Sequence, residues 1–400
     1  MKGSRDTDMK SRLATLSWIA TIGLIALAAG AFWRGRWMWA GLFVVLGGGA
    51  QVIRLPWKRQ VVFAVVAMLL STLATIAFVS GVDLYLHARY ARTGGYNIRG
   101  YRGPVVGAKR PGERRIVMLG GSVAFGYGVP SDETIPAHLA PLLQAARPAS
   151  PLSVVNLGWQ SEGAYSFLFT LKDYDYLKPD AAILYSGYND WLHNDQVFRH
   201  QSAVFRATGY LPITPIIPLA DWLRIRDLSE TRNSNRVHFQ PNIADRSSSE
   251  AAQTALRITQ AVERQLGKLV PDAPGTIPPG TCGERWDYYC GSVRRAVDYA
   301  RSEQQQVFVV TEPYATRATA GGTSGRTAAG WMFHVEQQRL LSEMLAVAYP
   351  SDPRVHYINM GPAVDLADPT LCYDGVHLTA KGNRQLAEHL APEILKAWTW

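Results

Sequence analysis

The chain has 400 residues, more than one average domain, with a formal net charge of +9 and 47% hydrophobic residues. The charge is uneven: nine basic and two acidic residues up to residue 60 give +7, so most of the excess flanks apolar segments and does not indicate nucleic-acid binding. The histidines do not cluster with the three cysteines and no CxxC motif occurs, so we expect neither a metal nor a cofactor.

The amino-terminal part carries long apolar segments. Segments 13–33 and 61–82 are uncharged, and each is long enough to cross a bilayer as a helix. Segment 37–53 is shorter and contains Gln51 and a run of glycines, and we interpret it as a third span. Residues 1–82 are therefore predicted to form a transmembrane region. Basic residues in the amino-terminal tail and the second loop favour the cytoplasm for both, which leaves everything after residue 82 on the outer side.

Three alternatives bear on this topology. If residues 13–31 are a cleaved signal peptide, two spans remain and the carboxy-terminal part is again outside. If segment 37–53 does not cross, the carboxy-terminal part is cytoplasmic instead. The third alternative is that these segments are buried core helices of a soluble domain.

A basic stretch follows the third apolar segment. Residues 83–114 alternate arginines and lysines with tyrosines and contain several glycines and Pro104. Immediately beside a membrane span, this pattern indicates contact with anionic lipid headgroups rather than with nucleic acid. We interpret the stretch as a juxtamembrane linker.

Residues 115–400 alternate between apolar strands and amphipathic helices. Strands are predicted at 115–119, 153–156, 181–186, 306–311 and 355–360, and helices at 131–146, 162–177, 248–269, 285–302, 331–348 and 379–398. This alternation predicts a parallel sheet covered by helices on both faces.

Two irregular segments interrupt the alternation. A Pro-rich insertion at 192–247 follows the third strand, and a Gly/Ala/Thr stretch at 317–330 follows the fourth. Both leave from the same edge of the predicted sheet. We interpret them as lids or acceptor-binding surfaces, the alternative being that they fold away as spacers.

The carboxyl ends of the predicted strands carry groups that suit acyl chemistry. Ser122 follows the first strand after two glycines, Gly158 and Asn189 follow the second and third, and Asp374 and His377 lie beyond the fifth. In an open parallel sheet these ends meet at one edge, where ligands bind. A serine needs a base that a carboxylate orients, and the oxyanion needs fixed donors. The Ser122 N–H, the Gly158 N–H and the Asn189 side chain would supply three donors. By itself, the Ser122 stretch is as typical of a serine that caps the next helix as it is of a catalytic serine.

Together these stretches resemble the four sequence blocks of the SGNH/GDSL hydrolase superfamily. The resemblance covers about residues 115–396 without the insertion, and its blocks are Gly120-Gly121-Ser122, Asn156-Leu157-Gly158, Gly187-Tyr188-Asn189-Asp190 and Asp374-Gly375-Val376-His377. It implies an α/β fold with a flavodoxin-like three-layer parallel sheet. It also implies Ser122 as nucleophile, His377 as base, Asp374 as its orienting acid, and an oxyanion hole formed by Ser122, Gly158 and Asn189.

The first block departs from the Gly-Asp-Ser-Leu pattern that gives the superfamily one of its names. Gly121 stands in place of the acid and Val123 in place of the leucine, which affects the subfamily rather than the nucleophile. Residues 125–129 and 134–136 resemble membrane-anchored bacterial members, which often serve exopolysaccharide or envelope systems.

Other residues near the blocks have less specific roles. Trp159 and Tyr188 are candidate substrate-binding residues, with core packing as the alternative. Asp190 is expected to brace the turn that carries Asn189 rather than to take part in catalysis. We expect Ser161 and Ser186 to form hydrogen bonds with nearby backbone groups, and Cys372 to be a small packed residue. His193 and His200 are expected at the surface. Cys282 and Cys290 are expected to form a disulfide in an oxidising compartment.

The sequence therefore predicts a membrane-anchored serine ester hydrolase that removes acyl groups, such as acetyl, from a carbohydrate or a lipid. The alternatives are an O-acyltransferase acting on an envelope or exopolysaccharide glycan, and a non-catalytic glycan-binding protein. We expect a multi-pass protein of the bacterial inner membrane, with the catalytic domain in the periplasm and with membrane lipid and envelope or exopolysaccharide assembly proteins as partners.

Overall fold

The computed structural model describes residues 56–90, 95–213, 276–314 and 328–398. Two compact units divide the chain, Met1–Gly81 and Val82–Trp400. Several predicted features lie outside the described residues. They are the segments 13–33 and 37–53, residues 214–247 of the insertion, the helix at 248–269 and the Gly/Ala/Thr stretch up to residue 327.

Five parallel strands form the centre of the second unit. They are β1 (Arg114–Gly120), β2 (Leu152–Asn156), β3 (Ala181–Ser186), β4 (Gln306–Thr311) and β5 (Val355–Ile358). Their order in the sheet is β2-β1-β3-β4-β5, and Met118 of β1 pairs with Asn156 on one side and Ile183 on the other. This is the flavodoxin-like order. The predicted fold class and all five predicted strands are confirmed.

Most of the described helices occupy predicted positions with some different ends, whereas three short helices at 122–125, 198–201 and 203–208 are not among the predicted ones. The described helices are α1 (Trp57–Tyr90), α2 (Ser122–Phe125), α3 (Ile135–Ala146), α4 (Ser166–Asp173), α5 (Phe198–Gln201), α6 (Ala203–Thr208), α7 (Asp287–Ser302), α8 (Ala328–Ala348) and α9 (Ala380–Ala397). The helix predicted from residue 131 instead begins at Ile135, after a 3₁₀ turn at Ser131–Glu133 and an extended Thr134. A continuous helix would set the ring of Pro136 against the carbonyl group of Asp132.

Both faces of the sheet are covered because its strands are apolar on both sides. Val117 and Leu119 of β1 face a cluster that includes buried residues of α4, α7 and α8, whereas Ile116 and Met118 face a cluster with residues of α3 and α9. Side chains of a strand alternate between faces, so a run of four apolar residues supplies both clusters. The three-layer arrangement follows from this pattern.

Among the described residues, α1 is the one helix long and apolar enough to cross a membrane, over Arg59–Arg89. It contains the predicted span 61–82, and its most apolar stretch has no buried residues. Exposed apolar side chains such as Phe63, Leu70 and Phe78 cover it on all sides. A helix that is apolar all round is typical of a membrane span or of a core helix, and this one is not buried.

The last residues of α1 belong to the second unit and are held by its polar groups. The carboxylate of Asp83 accepts hydrogen bonds from the Tyr210 hydroxyl and, at 2.9 Å, from the Ile213 backbone N–H. The ring nitrogens of His87 bind the carbonyl oxygens of Tyr96 and Leu211 at 2.8 and 2.9 Å. The helix therefore continues beyond the predicted span into the α/β unit.

Residues 95–102 of the segment predicted as a basic linker are packed into this unit. Tyr96 is buried and stacks on Trp159 with ring centroids 3.9 Å apart. Arg102 is also buried; its guanidinium lies 4.2 Å from the Phe125 ring centroid and donates to the Val129 carbonyl group. A cation buried in this way is not available to lipid headgroups, whereas Arg89 and Arg110 of the same segment are exposed.

The first part of the insertion is packed as well. Arg199 of α5 is buried, donates to the Leu157 carbonyl oxygen at 2.8 Å and lies 3.5 Å from the buried carboxylate of Glu162. His200 is paired with Asp173 at 2.8 Å, and His193 contacts the Tyr288 ring. Arg199 therefore connects residues 192–213 to the loop after β2. The rest of the insertion predicted as a lid, residues 214–247, and residues 317–327 lie outside the described residues.

Candidate active site

Ser122 begins α2 directly after β1, at the carboxyl edge of the sheet. Gly121 between them is extended, with φ −81° and ψ −150°, and a Cβ atom there would lie 2.1 Å from Nδ2 of Asn189. The glycine therefore allows the amide of Asn189 to approach the nucleophile's backbone. Any larger residue at this position would require Asn189 to shift.

Three predicted residues form a continuous hydrogen-bond chain. Nε2 of His377 lies 2.8 Å from Oγ of Ser122, and Nδ1 of His377 lies 2.5 Å from Oδ2 of Asp374. With the ring proton on Nδ1 toward the carboxylate, Nε2 can accept the hydroxyl proton of Ser122. The geometry is that of a Ser-His-Asp triad.

Asp374 is held by the turn that connects it to His377. Its Oδ1 accepts the backbone N–H groups of Val376 at 3.0 Å and His377 at 2.7 Å. Partial burial would raise the pKa of this carboxyl, but the hydrogen bonds from His377 and the nearby imidazole charge outweigh burial and lower the pKa below its usual value. The group therefore stays ionised, as the orientation of an imidazole requires.

Two tyrosines fix the position of the imidazole. The ring centroid of His377 lies 4.6 Å from that of Tyr127 and 6.0 Å from that of Tyr373, and the Tyr373 hydroxyl donates to the Tyr127 carbonyl group. The ring is thus enclosed by aromatic faces while both nitrogens keep their polar partners. Packing of this kind restricts the side chain to one rotamer.

The three predicted oxyanion donors have different surroundings. Ser122 and Asn189 both line the pocket in front of the nucleophile. Nδ2 of Asn189 donates one hydrogen to the Glu162 carbonyl oxygen at 2.8 Å, which leaves its second N–H to point elsewhere. Both residues lie at the pocket, and their role as oxyanion donors stays a prediction.

Gly158, the third predicted oxyanion donor, differs from the other two in its position. It is buried, does not line the pocket, and its N–H donates to Oδ1 of Asn156 at 3.0 Å. A Cβ atom at this position would lie 2.5 Å from the backbone nitrogen of Phe125. The glycine is therefore required for close packing of the β2 loop on α2. The role of its N–H as an oxyanion donor is not supported by this geometry, because an Asx turn already uses the hydrogen.

Asp190 connects the turn that carries Asn189 to the loop after β2. It is buried, and its Oδ1 accepts the backbone N–H of Ala164 at 2.9 Å. Burial raises the pKa of Asp190 to about 8, with a further contribution from the charge of Glu312. Asp190 does not line the pocket, and its expected role in supporting the Asn189 turn stays a prediction.

The two candidate substrate-binding aromatic residues lie in different surroundings, one at the pocket and one in the core. Tyr188 lines the pocket, and its hydroxyl donates to the Pro313 carbonyl oxygen at 2.7 Å. Trp159 is 5% exposed, stacks on Tyr96 and carries Arg199 over its ring. The assignment of Trp159 to the substrate site is wrong because its whole ring is used in core packing.

Glu312 and Gln160 also line the pocket and were not among the predicted site residues. Glu312 comes directly after β4, at the same sheet edge as Ser122. That position is a usable signal, because candidate site residues also follow β1, β2, β3 and β5. Gln160 lies in the irregular loop after β2, where no periodic pattern indicates which side chains face the pocket.

The cysteines behave as predicted. Cys282 and Cys290 are joined by a disulfide, and Cys372 is a buried free thiol. Burial raises the pKa of Cys372 to about 11, so it is protonated and not a second nucleophile. Within the described residues, no group of three or more His, Cys, Asp or Glu side chains could hold a metal ion.

The four blocks that carry the SGNH resemblance thus lie together at the carboxyl edge of a 2-1-3-4-5 parallel sheet. This is the arrangement that the resemblance to SGNH hydrolases implies for these blocks. No family model matches the chain, and no curated protein sequence does either.

Similar solved structures include three proteins with esterase or lipase names. Est24, a carbohydrate acetylesterase from Sinorhizobium meliloti, is 13% identical, covers 71% of this chain and 100% of its own, and has a TM-score of 0.35. An aryl esterase from M. smegmatis is 16% identical, with coverages of 71% and 100% and a TM-score of 0.35. A GDSL-like lipase from Parabacteroides merdae is 13% identical, with coverages of 74% and 98% and a TM-score of 0.39. TM-scores below 0.5 carry no inference about function.

Proposed function

We propose that the protein is a serine ester hydrolase that removes short acyl groups, acetyl in particular, from a carbohydrate or lipid through an acyl-enzyme. The observation that carries this proposal is the hydrogen-bond chain from Oγ of Ser122 through His377 to Asp374. The amide of Asn189 lines the same pocket and adds an electrophilic group to it. A non-catalytic binding protein would not need this set of groups.

The proposed reaction proceeds in two steps. In the first, Nε2 of His377 takes the hydroxyl proton of Ser122 while Oγ bonds to the ester carbonyl carbon. The resulting tetrahedral intermediate expels the alcohol, which receives that proton from His377, and an acyl-serine remains. In the second step, water gives a proton to His377 and attacks the acyl carbon, and Ser122 recovers the proton as the carboxylic acid leaves.

Two donors serve the oxyanion in this proposal. They are the backbone N–H of Ser122 and the second N–H of Asn189, whose position is fixed by the bond to the Glu162 carbonyl oxygen. Donors held in place before the reaction stabilise the developing charge without reorganising. The ionised Asp374 stabilises the imidazolium that forms in each step.

An acetate-release assay with the full chain tests the proposal. Purified protein is incubated with an acetylated oligosaccharide, with and without an unacetylated oligosaccharide as acceptor. A hydrolase should release acetate at the same rate in both, and Ser122→Ala should release none above background. Acetate transfer to the acceptor with little free acetate would instead establish the O-acyltransferase alternative.

We also propose that the protein is anchored in the bacterial inner membrane with the α/β unit in the periplasm. The exposed apolar surface of α1 and the basic residues that precede it support this orientation. The Cys282–Cys290 disulfide suits an oxidising compartment. Anionic membrane lipid and envelope or exopolysaccharide assembly proteins are the partners expected for such a location.

Reporter fusions check this orientation. Alkaline phosphatase fused after Trp400 should be active, and a reporter that works only in the cytoplasm should be silent at the same position. The reason is that an odd number of spans follows a cytoplasmic amino terminus. The reverse pattern would mean that segment 37–53 does not cross and would place the disulfide in a reducing compartment.

A further inference from the structure

The loop after β2, residues 157–165, contains neither helix nor strand and lies beside the nucleophile. The carbonyl oxygen of Glu162 in this loop accepts the Asn189 amide at 2.8 Å. A Cβ atom on Gly121 would lie 3.2 Å from the same oxygen. The Glu162 carbonyl group therefore lies where the amide of Asn189 meets the backbone that precedes the nucleophile. A movement of the loop would move this oxygen and with it the amide.

Arg199 holds this loop at two points from a different segment of the chain. Its Nη2 donates to the Leu157 carbonyl oxygen at 2.8 Å and lies 3.5 Å from Oε2 of Glu162. The planar guanidinium carries its donors in fixed directions, so one side chain can bind both groups in a defined geometry. The guanidinium thus connects the first residue of the loop to the residue whose carbonyl oxygen binds the Asn189 amide.

The guanidinium of Arg199 is itself confined. The residue is 3% exposed, and its Nη2 also donates to Oγ1 of Thr170 in α4 at 3.1 Å. Its central carbon lies 5.2 Å from the ring centroid of Trp159 and 5.2 Å from that of Tyr174. Cations are attracted to aromatic rings at this distance. Because Arg199 has polar partners and aromatic neighbours in the core, it can fix the loop that it binds.

We propose that Arg199 is a positioning residue for the reaction: it fixes the Glu162 carbonyl oxygen, which in turn aims the Asn189 amide at the oxyanion. The inference rests on the proposed esterase function, in which Asn189 is an oxyanion donor. Arg199 does not line the pocket, so it acts through Glu162 and Asn189. A catalytic group displaced by about 1 Å can lower a rate on the order of a hundredfold, so loss of this support reaches the chemical step.

Arg199→Lys tests this role in the full chain. Alanine would leave the buried Glu162 carboxylate without a counter-charge, whereas lysine keeps the charge and loses the planar fork that binds two groups. With 4-nitrophenyl acetate as substrate, kcat should fall about tenfold because the amide is no longer held in place. KM should change little, since an oxyanion donor acts in the transition state and not in the ground state.

A double-mutant cycle with Asn189→Ala separates positioning from general damage. In the Asn189→Ala background, Arg199→Lys should change kcat by less than about twofold, because the group that it positions is already gone. A tenfold loss in both backgrounds would mean that Arg199 acts independently of Asn189 and would overturn the inference. An unchanged kcat in Arg199→Lys alone would overturn it as well.

Arg115→Lys is the matched control, because it makes the same change in another buried ion pair. Arg115 lies 2.8 Å from Glu113 near the amino end of β1, at the opposite edge of the sheet from Ser122. The variant should melt at a lower temperature than the wild type and keep its kcat. A loss of kcat equal to that of Arg199→Lys would mean that a loosened fold explains both, and the positioning role would be refuted.

Thr170→Val decides the question if Arg199→Lys does not fold at the assay temperature. It removes the hydroxyl oxygen that accepts from the guanidinium and nearly keeps the shape of the side chain. Its loss in kcat should be smaller than that of Arg199→Lys and should again disappear in the Asn189→Ala background. An equal loss in both backgrounds, or no loss in either, would overturn the inference.

The dependence on Ser122 distinguishes this inference from the function on which it rests. Turnover that is lost in Ser122→Ala but unaffected by the Arg199 variant would refute the positioning role and leave the esterase intact. Absence of any turnover that depends on Ser122 would refute both.

Discussion

Replacement of Ser122 by alanine should abolish hydrolysis of a small aryl ester, with a loss in kcat of roughly three or more orders of magnitude. Oγ of Ser122 is the atom that would bond to the acyl carbon, and it lies 2.8 Å from the base nitrogen of His377. His377→Ala should cause a similar loss because the hydroxyl then has no proton acceptor. The double variant should be no worse than either single one, since the two groups act as a unit.

Steady-state hydrolysis of 4-nitrophenyl acetate measures these losses, with each variant's melting temperature as a check on folding. Ser302→Ala is a matched control, because it truncates an exposed serine at the end of α7. It should retain wild-type activity. Near-normal turnover by Ser122→Ala would remove the whole assignment, and additive losses in the double variant would mean that the two groups act in separate steps.

Asn189→Ala should have the next largest effect, a decrease in kcat on the order of a hundredfold or more. Its amide lines the pocket beside Ser122 and is held by the Glu162 carbonyl oxygen. A donor that binds the oxyanion acts in the transition state but not in the ground state, so kcat should fall while KM changes little.

Asn194→Ala is the matched control for this variant. The Asn194 amide donates to the backbone carbonyl oxygens of Asn189 and Ser161 but does not line the pocket. Its loss should change kcat by less than about tenfold. If Asn194→Ala is as damaging as Asn189→Ala, or if Asn189→Ala mainly raises KM, the amide supports the loop rather than the oxyanion.

The amino-acid sequence by itself determined the sheet and the triad. Continuous apolar runs such as 116–119 can be satisfied only where both faces of a strand are covered, so the strands were recognisable without tertiary contacts. Parallel strands then bring Ser122 and Asn189 to one edge. Asp374 and His377 are three residues apart in one turn, so their pairing is local.

The sequence could not determine which neighbours of the triad face the substrate. Trp159 and Gln160 are adjacent in an irregular loop, yet one stacks on Tyr96 in the core and the other lines the pocket. No periodicity links side-chain direction to position in such a loop. The use of the Gly158 N–H by Asn156 is equally invisible in the sequence, because both a turn and an oxyanion hole need the same glycine.

Tertiary structure alone also decided the role of charged side chains. Arg102, Arg199 and Glu312 look like solvated surface residues in the sequence, and all three are buried. Burial of a charge costs free energy that only partners from distant segments offset. The Glu162 carboxylate is such a partner for Arg199, and the Tyr188 N–H is one for Glu312. Those partners are 37 and 124 residues away along the chain, which is beyond the reach of any local pattern.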